Sequence, residues 1–117
     1  MNDLKIFEVE RPWGNFRQFI ENSPCTVKII TIKPNEKLSL QSHNKRAEFW
    51  YVVKGGGRVE IDEVVYEAGE GKEYEIKIGA KHRLTAGPYG LTVLEIALGE
   101  FDENGDITRY EDKYGRA

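Results

Sequence analysis

The chain has 117 residues, enough for one compact domain with one core and too few for two. Seventeen Lys and Arg stand against twenty Asp and Glu, a formal charge of −3 that argues against the basic excess of a nucleic-acid module. The composition is 39% hydrophobic and 32% charged, and no stretch approaches the ~20 apolar residues of a membrane helix.

The N-terminus, Met1-Asn2-Asp3-Leu4-Lys5, carries charge where a secretory signal needs an apolar run, so a cytoplasmic location is expected. Residues 1–23 form an N-terminal arm containing Arg11-Pro12-Trp13-Gly14. The lone Cys25 has no internal partner and reads as an inert side chain. Thr26 to Lys33 is a β-branched, mostly apolar run, and Phe49 to Val53 is a run of strand formers. Gly55-Gly56-Gly57 reads as a hairpin turn before Gly57 to Asp62, where Val59 and Ile61 alternate with Arg58 and Glu60. Glu73 to Ile78 alternates in the same way, and Leu91 to Leu98 is a further candidate strand. Turn signals recur at Pro34-Asn35, Gly69 to Gly71, Ile78-Gly79-Ala80 and Ala86 to Gly90. Phe101 to Asp106 is a polar loop. Ile107 to Arg116 is charged and aromatic, and is expected to dock on the barrel or on a partner subunit.

This rhythm predicts an all-β domain with a barrel core over about 24–100 and a C-terminal tail over 101–117. No Gly-rich phosphate loop and no internal repeat is present.

Chemistry must come from few side chains, because there are only two histidines. Gln41 and His43 sit two apart and share a face if the segment is extended. A hairpin would return Glu48 across from them, and His82 could arrive from a neighbouring strand. Two imidazoles, a carboxylate and an amide oxygen, without thiolate, suit a borderline divalent ion. On spacing alone, hydrogen-bonded structural histidines remain the alternative.

Gln41, His43, Glu48 and Gly55 resemble the first cupin motif, and Gly71, Gly79 and His82 resemble the second; the departures are Asn35, Gln41, Lys77 and Ala86. More narrowly, the chain resembles the type II mannose-6-phosphate isomerase domain. The likeness lies in Arg11-Pro12-Trp13-Gly14, Lys33 to Gln41, Arg46-Ala47-Glu48-Phe49-Trp50, Ile78 to Leu84 and Tyr110 to Arg116. The resemblance implies a single-domain cupin, a double-stranded β-helix or jelly-roll barrel, over residues 1–117. It implies one divalent metal ion on Gln41, His43, Glu48 and His82, zinc first, with manganese, iron, cobalt or nickel as alternatives.

The implied activity is aldose–ketose isomerisation between mannose-6-phosphate and fructose-6-phosphate through a cis-enediol. Arg46, Arg83 and Lys45 are candidates for the phosphate, since guanidinium suits bidentate phosphate recognition. Lys45 and Glu95 are candidates for the general base. Asn44, Lys45 and Phe49 stand where that family usually has further histidines. The alternatives are therefore an isomerase or epimerase of another sugar phosphate or nucleotide sugar, or a non-catalytic sugar- or metal-binding cupin. A sugar phosphate is the expected small-molecule partner and a homodimer the expected assembly, with no nucleic acid or membrane partner.

Overall fold

The computed structural model describes residues 5–102 and 105–115. Among them the chain forms strands and no helix: β1 (Phe7–Arg11), β2 (Gly14–Gln18), β3 (Cys25–Ile32), β4 (Leu40–Ser42), β5 (Arg46–Ile61), β6 (Val64–Gly69), β7 (Glu73–Ile76), β8 (His82–Gly99) and β9 (Thr108–Glu111).

Two long antiparallel strands organise the barrel. Residues 46–52 of β5 pair with residues 93–99 of β8, the register slips at the glycines, and residues 57–61 then pair with residues 82–86. Both strands bend at this corner, so each contributes to two facing sheets. The first sheet continues to β3 beyond β8 and to β7 beyond β5. The second continues to β6 beyond β5, and to β4 and then β9 beyond β8. The architecture is an antiparallel jelly roll.

Gly55-Gly56-Gly57 is therefore no hairpin turn but the bend inside β5, and Ala86 to Gly90 is likewise internal to β8. The reason is steric. A Cβ on Gly57 would lie 2.0 Å from the carbonyl oxygen of Thr85, and one on Gly55 would lie 2.2 Å from that of Gly90. The corner closes only where the crossing backbones carry no side chain.

Alternation along the strands fills the interior. Near the corner it is apolar: Ile32, Val52, Val59, Leu84, Leu91 and Val93 are buried together. Toward the open end the same inward positions become Glu48, Trp50, Glu95 and His82, all buried. The register places Lys28 beside Glu95 and Glu95 beside Trp50 on that inner face.

On the outer face, Phe49 is buried and its ring lies 5.3 Å from that of Phe19. β1 and β2 form a separate two-stranded sheet. An Arg17–Glu73 ion pair ties this hairpin to β7. Of residues 107–116, expected to dock, Thr108–Glu111 form β9, which pairs with β4, and Arg116 lies outside the described residues.

Candidate metal centre

Three inward groups meet at the open end. His43 follows β4, Glu48 lies near the start of β5, and His82 opens β8. They are 3%, 2% and 1% exposed. One ligand atom from each falls within 4.8 Å of the other two. His43 Nε2 is 3.6 Å from Glu48 Oε2, His82 Nε2 is 3.4 Å from Glu48 Oε1, and the imidazole centroids are 5.0 Å apart. The expected hairpin between Gln41–His43 and Glu48 does not form among the described residues, since β4 pairs with β8 and β9. Glu48 instead meets the histidines across the barrel interior. Gln41 stands in register with His82, which puts both on the same face.

Hydrogen bonding fixes which imidazole nitrogen points inward. His43 Nδ1 is 2.7 Å from the Asp106 carbonyl oxygen, and His82 Nδ1 is 2.9 Å from that of Ala80. A carbonyl only accepts, so each Nδ1 carries the proton; the Nε2 lone pair of His82 faces Glu48, and that of His43, beside Glu48, accepts from Arg46. Burial holds the His82 pKa down at about 4, and burial also lowers that of His43, helped by the nearby Arg46 cation. Both rings are thus neutral at pH 7, and the His82 lone pair is aimed at a carboxylate oxygen. Glu48 Oε1 and His82 Nε2 have no hydrogen-bond partner among the described residues. Acceptors that face each other in a buried space repel unless a proton or a cation lies between them. The residues therefore fit a divalent ion, and the nitrogen and oxygen donors suit zinc, manganese, iron, cobalt or nickel.

Arg46 is the neighbouring cation and is buried. Its Nε donates to Glu48 Oε2 at 3.0 Å and its Nη2 donates to His43 Nε2 at 3.1 Å. Its Nη1 is buried with no partner among the described residues. The guanidinium carbon lies 4.2 Å from the centroid of Phe101, and Lys28 Nζ lies 4.2 Å from the same centroid.

The other site candidates are spread out. Glu95 is buried inside and accepts from Trp50 Nε1 at 3.1 Å. Burial raises its pKa, and the charge of Glu48 raises it further. Lys45 lies on the rim, half-exposed, with Nζ 3.9 Å from Glu100 Oε1. Arg83 leaves β8 by the face opposite His82, as adjacent strand residues must. Its guanidinium donates to the carbonyl of Leu38 at 3.0 Å, and to the carboxylate and carbonyl of Glu111 at 3.2 Å each. It ties β9 to the barrel and does not join the cluster. Phe49 likewise points outward, so its departure from histidine does not change the interior.

Asp106 and the bridging contacts of Arg46 were not foreseen from sequence. Asp106 acts on His43 through a backbone carbonyl, which leaves no residue-type signal. A groove of about 1070 Å³ opens at the glycine corner, beside Gly55 to Gly57 and Pro88 to Leu91, and holds none of these ligands.

A jelly roll with imidazoles at β4 and β8 facing a carboxylate on β5 is a cupin with a candidate metal centre. Residues 3–112 match the family described as mannose-6-phosphate isomerase C-terminal, and the chain belongs to that family. It is 43% identical to mannose-1-phosphate guanylyltransferase ManC of Salmonella typhimurium over 110 residues, covering 93% of this chain and 23% of that protein. It is 42% identical to the alginate biosynthesis protein AlgA of Pseudomonas putida, with 93% and 23% covered. The chain thus spans about a quarter of the length of these relatives. Among solved structures, a cupin protein of Bacteroides fragilis shares the fold at a TM-score of 0.60 and 20% identity, covering 69% of this chain and 70% of that one.

Proposed function

We propose that the chain is a metal-dependent isomerase that interconverts mannose-6-phosphate and fructose-6-phosphate through a cis-enediol. The carrying observation is the pair of neutral imidazoles whose Nε2 atoms converge with Glu48 inside the barrel. Membership of a family described by mannose-6-phosphate isomerase supports sugar-phosphate chemistry. A divalent ion held by His43, Glu48 and His82, with Gln41 beside them, would supply Lewis acidity to the two oxygens on which charge develops.

The chain's own residues supply the rest. Arg46 keeps one buried donor with no partner among the described residues, which suits an anionic phosphate or sugar oxygen. Glu95 is the better placed of the two base candidates. It lies inside the barrel beside Trp50, and burial moves its pKa toward the range in which a base works at neutral pH. Lys45 stands outside on the rim. The exposed, free Cys25 suits a reducing compartment, in keeping with a cytoplasmic location. Among the described residues no helix is long and apolar enough to cross a membrane.

The proposal includes a homodimer. The β1–β2 hairpin is amphipathic: its register puts Phe7, Val9 and Phe16 on one face and Glu8, Glu10, Asn15 and Arg17 on the other. A lone hairpin is marginal in water without a surface to cover its apolar side. Trp13 at its tip is 73% exposed, and the outer face of β3 exposes Val27 at 56% and Ile29 at 69%. A second copy of the chain supplies both halves of such a contact.

Metal analysis coupled to turnover tests the catalytic reading. The expected result is one divalent ion per chain and mannose-6-phosphate isomerisation that a chelator removes and metal restores. Metal-replete protein that does not turn over mannose-6-phosphate would overturn it. Turnover of a different sugar phosphate in a substrate panel would move the assignment to that substrate.

A further inference from the structure

The two imidazoles are oriented by different means. His82 donates to Ala80, two residues back in its own turn. His43 donates to the carbonyl of Asp106, which is 63 positions away and lies between β8 and β9. Asp106 is buried. Its own carboxylate holds the segment that follows His43: Oδ1 accepts from the backbone N–H of Asn44 at 2.8 Å, and Oδ2 from that of Lys45 at 2.9 Å. The Asp106 side chain and carbonyl therefore grip one short segment from both sides. Beyond it, β9 pairs Thr108 with Ser42 and Arg109 with Gln41, and the Tyr110 hydroxyl is 2.9 Å from Ser42 Oγ. Ahead of it, Phe101 packs on the guanidinium of Arg46.

We infer that residues 105–111, with Phe101 ahead of them, form a strap that completes the metal centre, with Asp106 as the positioning residue that fixes the tautomer and aim of His43. This rests on the metal-binding reading above. The carboxylate suits the task because two oxygens meet two N–H donors. An asparagine offers one acceptor, and its NH₂ would face the second N–H donor. The Asp106 carbonyl would then lose its seat against His43. With that acceptor gone, the His43 proton is free to move to Nε2, where it blocks the ligand lone pair.

The test reads the imidazole tautomers directly. Long-range ¹H–¹⁵N correlation spectra of the metal-free protein should show both histidines protonated at Nδ1. In Asp106→Asn, His43 should shift toward the Nε2–H form while His82 stays unchanged. Zinc or cobalt affinity, measured by titration, should fall ~10–100-fold, the usual effect of losing a partner behind a metal-ligating histidine. Glu100→Gln, a rim change outside the strap's contacts with His43, should alter neither readout. If Asp106→Asn does not fold, Asp106→Glu carries the same test, since it keeps the charge but displaces both oxygens. An unchanged His43 tautomer with metal affinity within twofold of the parent, in the variant that folds, would overturn the inference. Wild-type protein that binds no metal would defeat the metal reading, and the tautomer spectra would still decide the role of Asp106.

Discussion

The neutral state of His82 makes the metal-free fold sensitive to acid. The unfolded chain titrates this histidine near 6.5, whereas the folded protein holds it at about 4 because the ring is buried at 1% exposure. Between those values the unfolded chain binds the proton and the folded protein resists it. The contribution of neutral His82 is therefore complete above pH 6.5 and is lost as the pH falls toward 4. At ~1.4 kcal/mol for each pH unit between the two constants, the loss is about 3 kcal/mol. That is a large share of a typical 5–15 kcal/mol.

Glu48 and Glu95 act in the opposite sense. Burial raises both, so the folded protein keeps protons that the unfolded chain releases, and their contribution grows as the pH falls. The raw slope mixes these effects, and the difference between wild type and His82→Gln isolates the histidine. The assay is urea unfolding in the presence of a chelator at several pH values from 7.5 to 4. Wild type should lose about 3 kcal/mol more than His82→Gln across that range. Equal losses in the two proteins would refute the neutral, inward-facing assignment of His82.

Three further outcomes follow from the same geometry. His43→Ala and His82→Ala should each abolish metal retention by elemental analysis while circular dichroism still reports a β-rich fold; normal metal content in either would remove that residue from the ligand set. Arg46→Ala should weaken binding of the phosphorylated sugar by about tenfold or more, the scale of a hydrogen bond to a charged group. The unphosphorylated sugar should lose much less, and equal losses by calorimetric titration would deny Arg46 a phosphate role. Ile29→Glu should convert a dimer to a monomer in sedimentation velocity at unchanged metal content, and a parent protein that is monomeric at every concentration would end the dimer proposal.

Much of the barrel could be read from alternation. Thr26 to Lys33 became β3 with a shift of one residue, and Glu73 to Ile78 became β7, which ends two residues earlier at Ile76. The corners could not be read locally. A glycine needed for a tight turn and one needed where two strands cross look alike in sequence, and what distinguishes Gly57 is the Thr85 carbonyl approaching from β8. The site divides in the same way. His43, Glu48 and His82 carry side chains whose type and spacing suggest metal. The outward turn of Arg83 also follows from its place next to His82, once that segment is a strand. Asp106 stayed invisible because a backbone carbonyl, common to every residue, does the orienting.

The bend shared by β5 and β8 gives the metal centre a mechanical character. Glu48 and His82 sit at the tips of two jaws that grow from one corner. At ~3.3 Å per residue, Glu48 stands roughly 23 Å along β5 from Gly55. Metal–ligand distances tolerate about ±0.2 Å, so at that reach an angular change of only about half a degree at the corner uses up the allowance. The glycines that let the strands cross so closely thus set the gape of the jaws, and a bound ion would act as a clasp that reads the corner's angle at the far end of a lever.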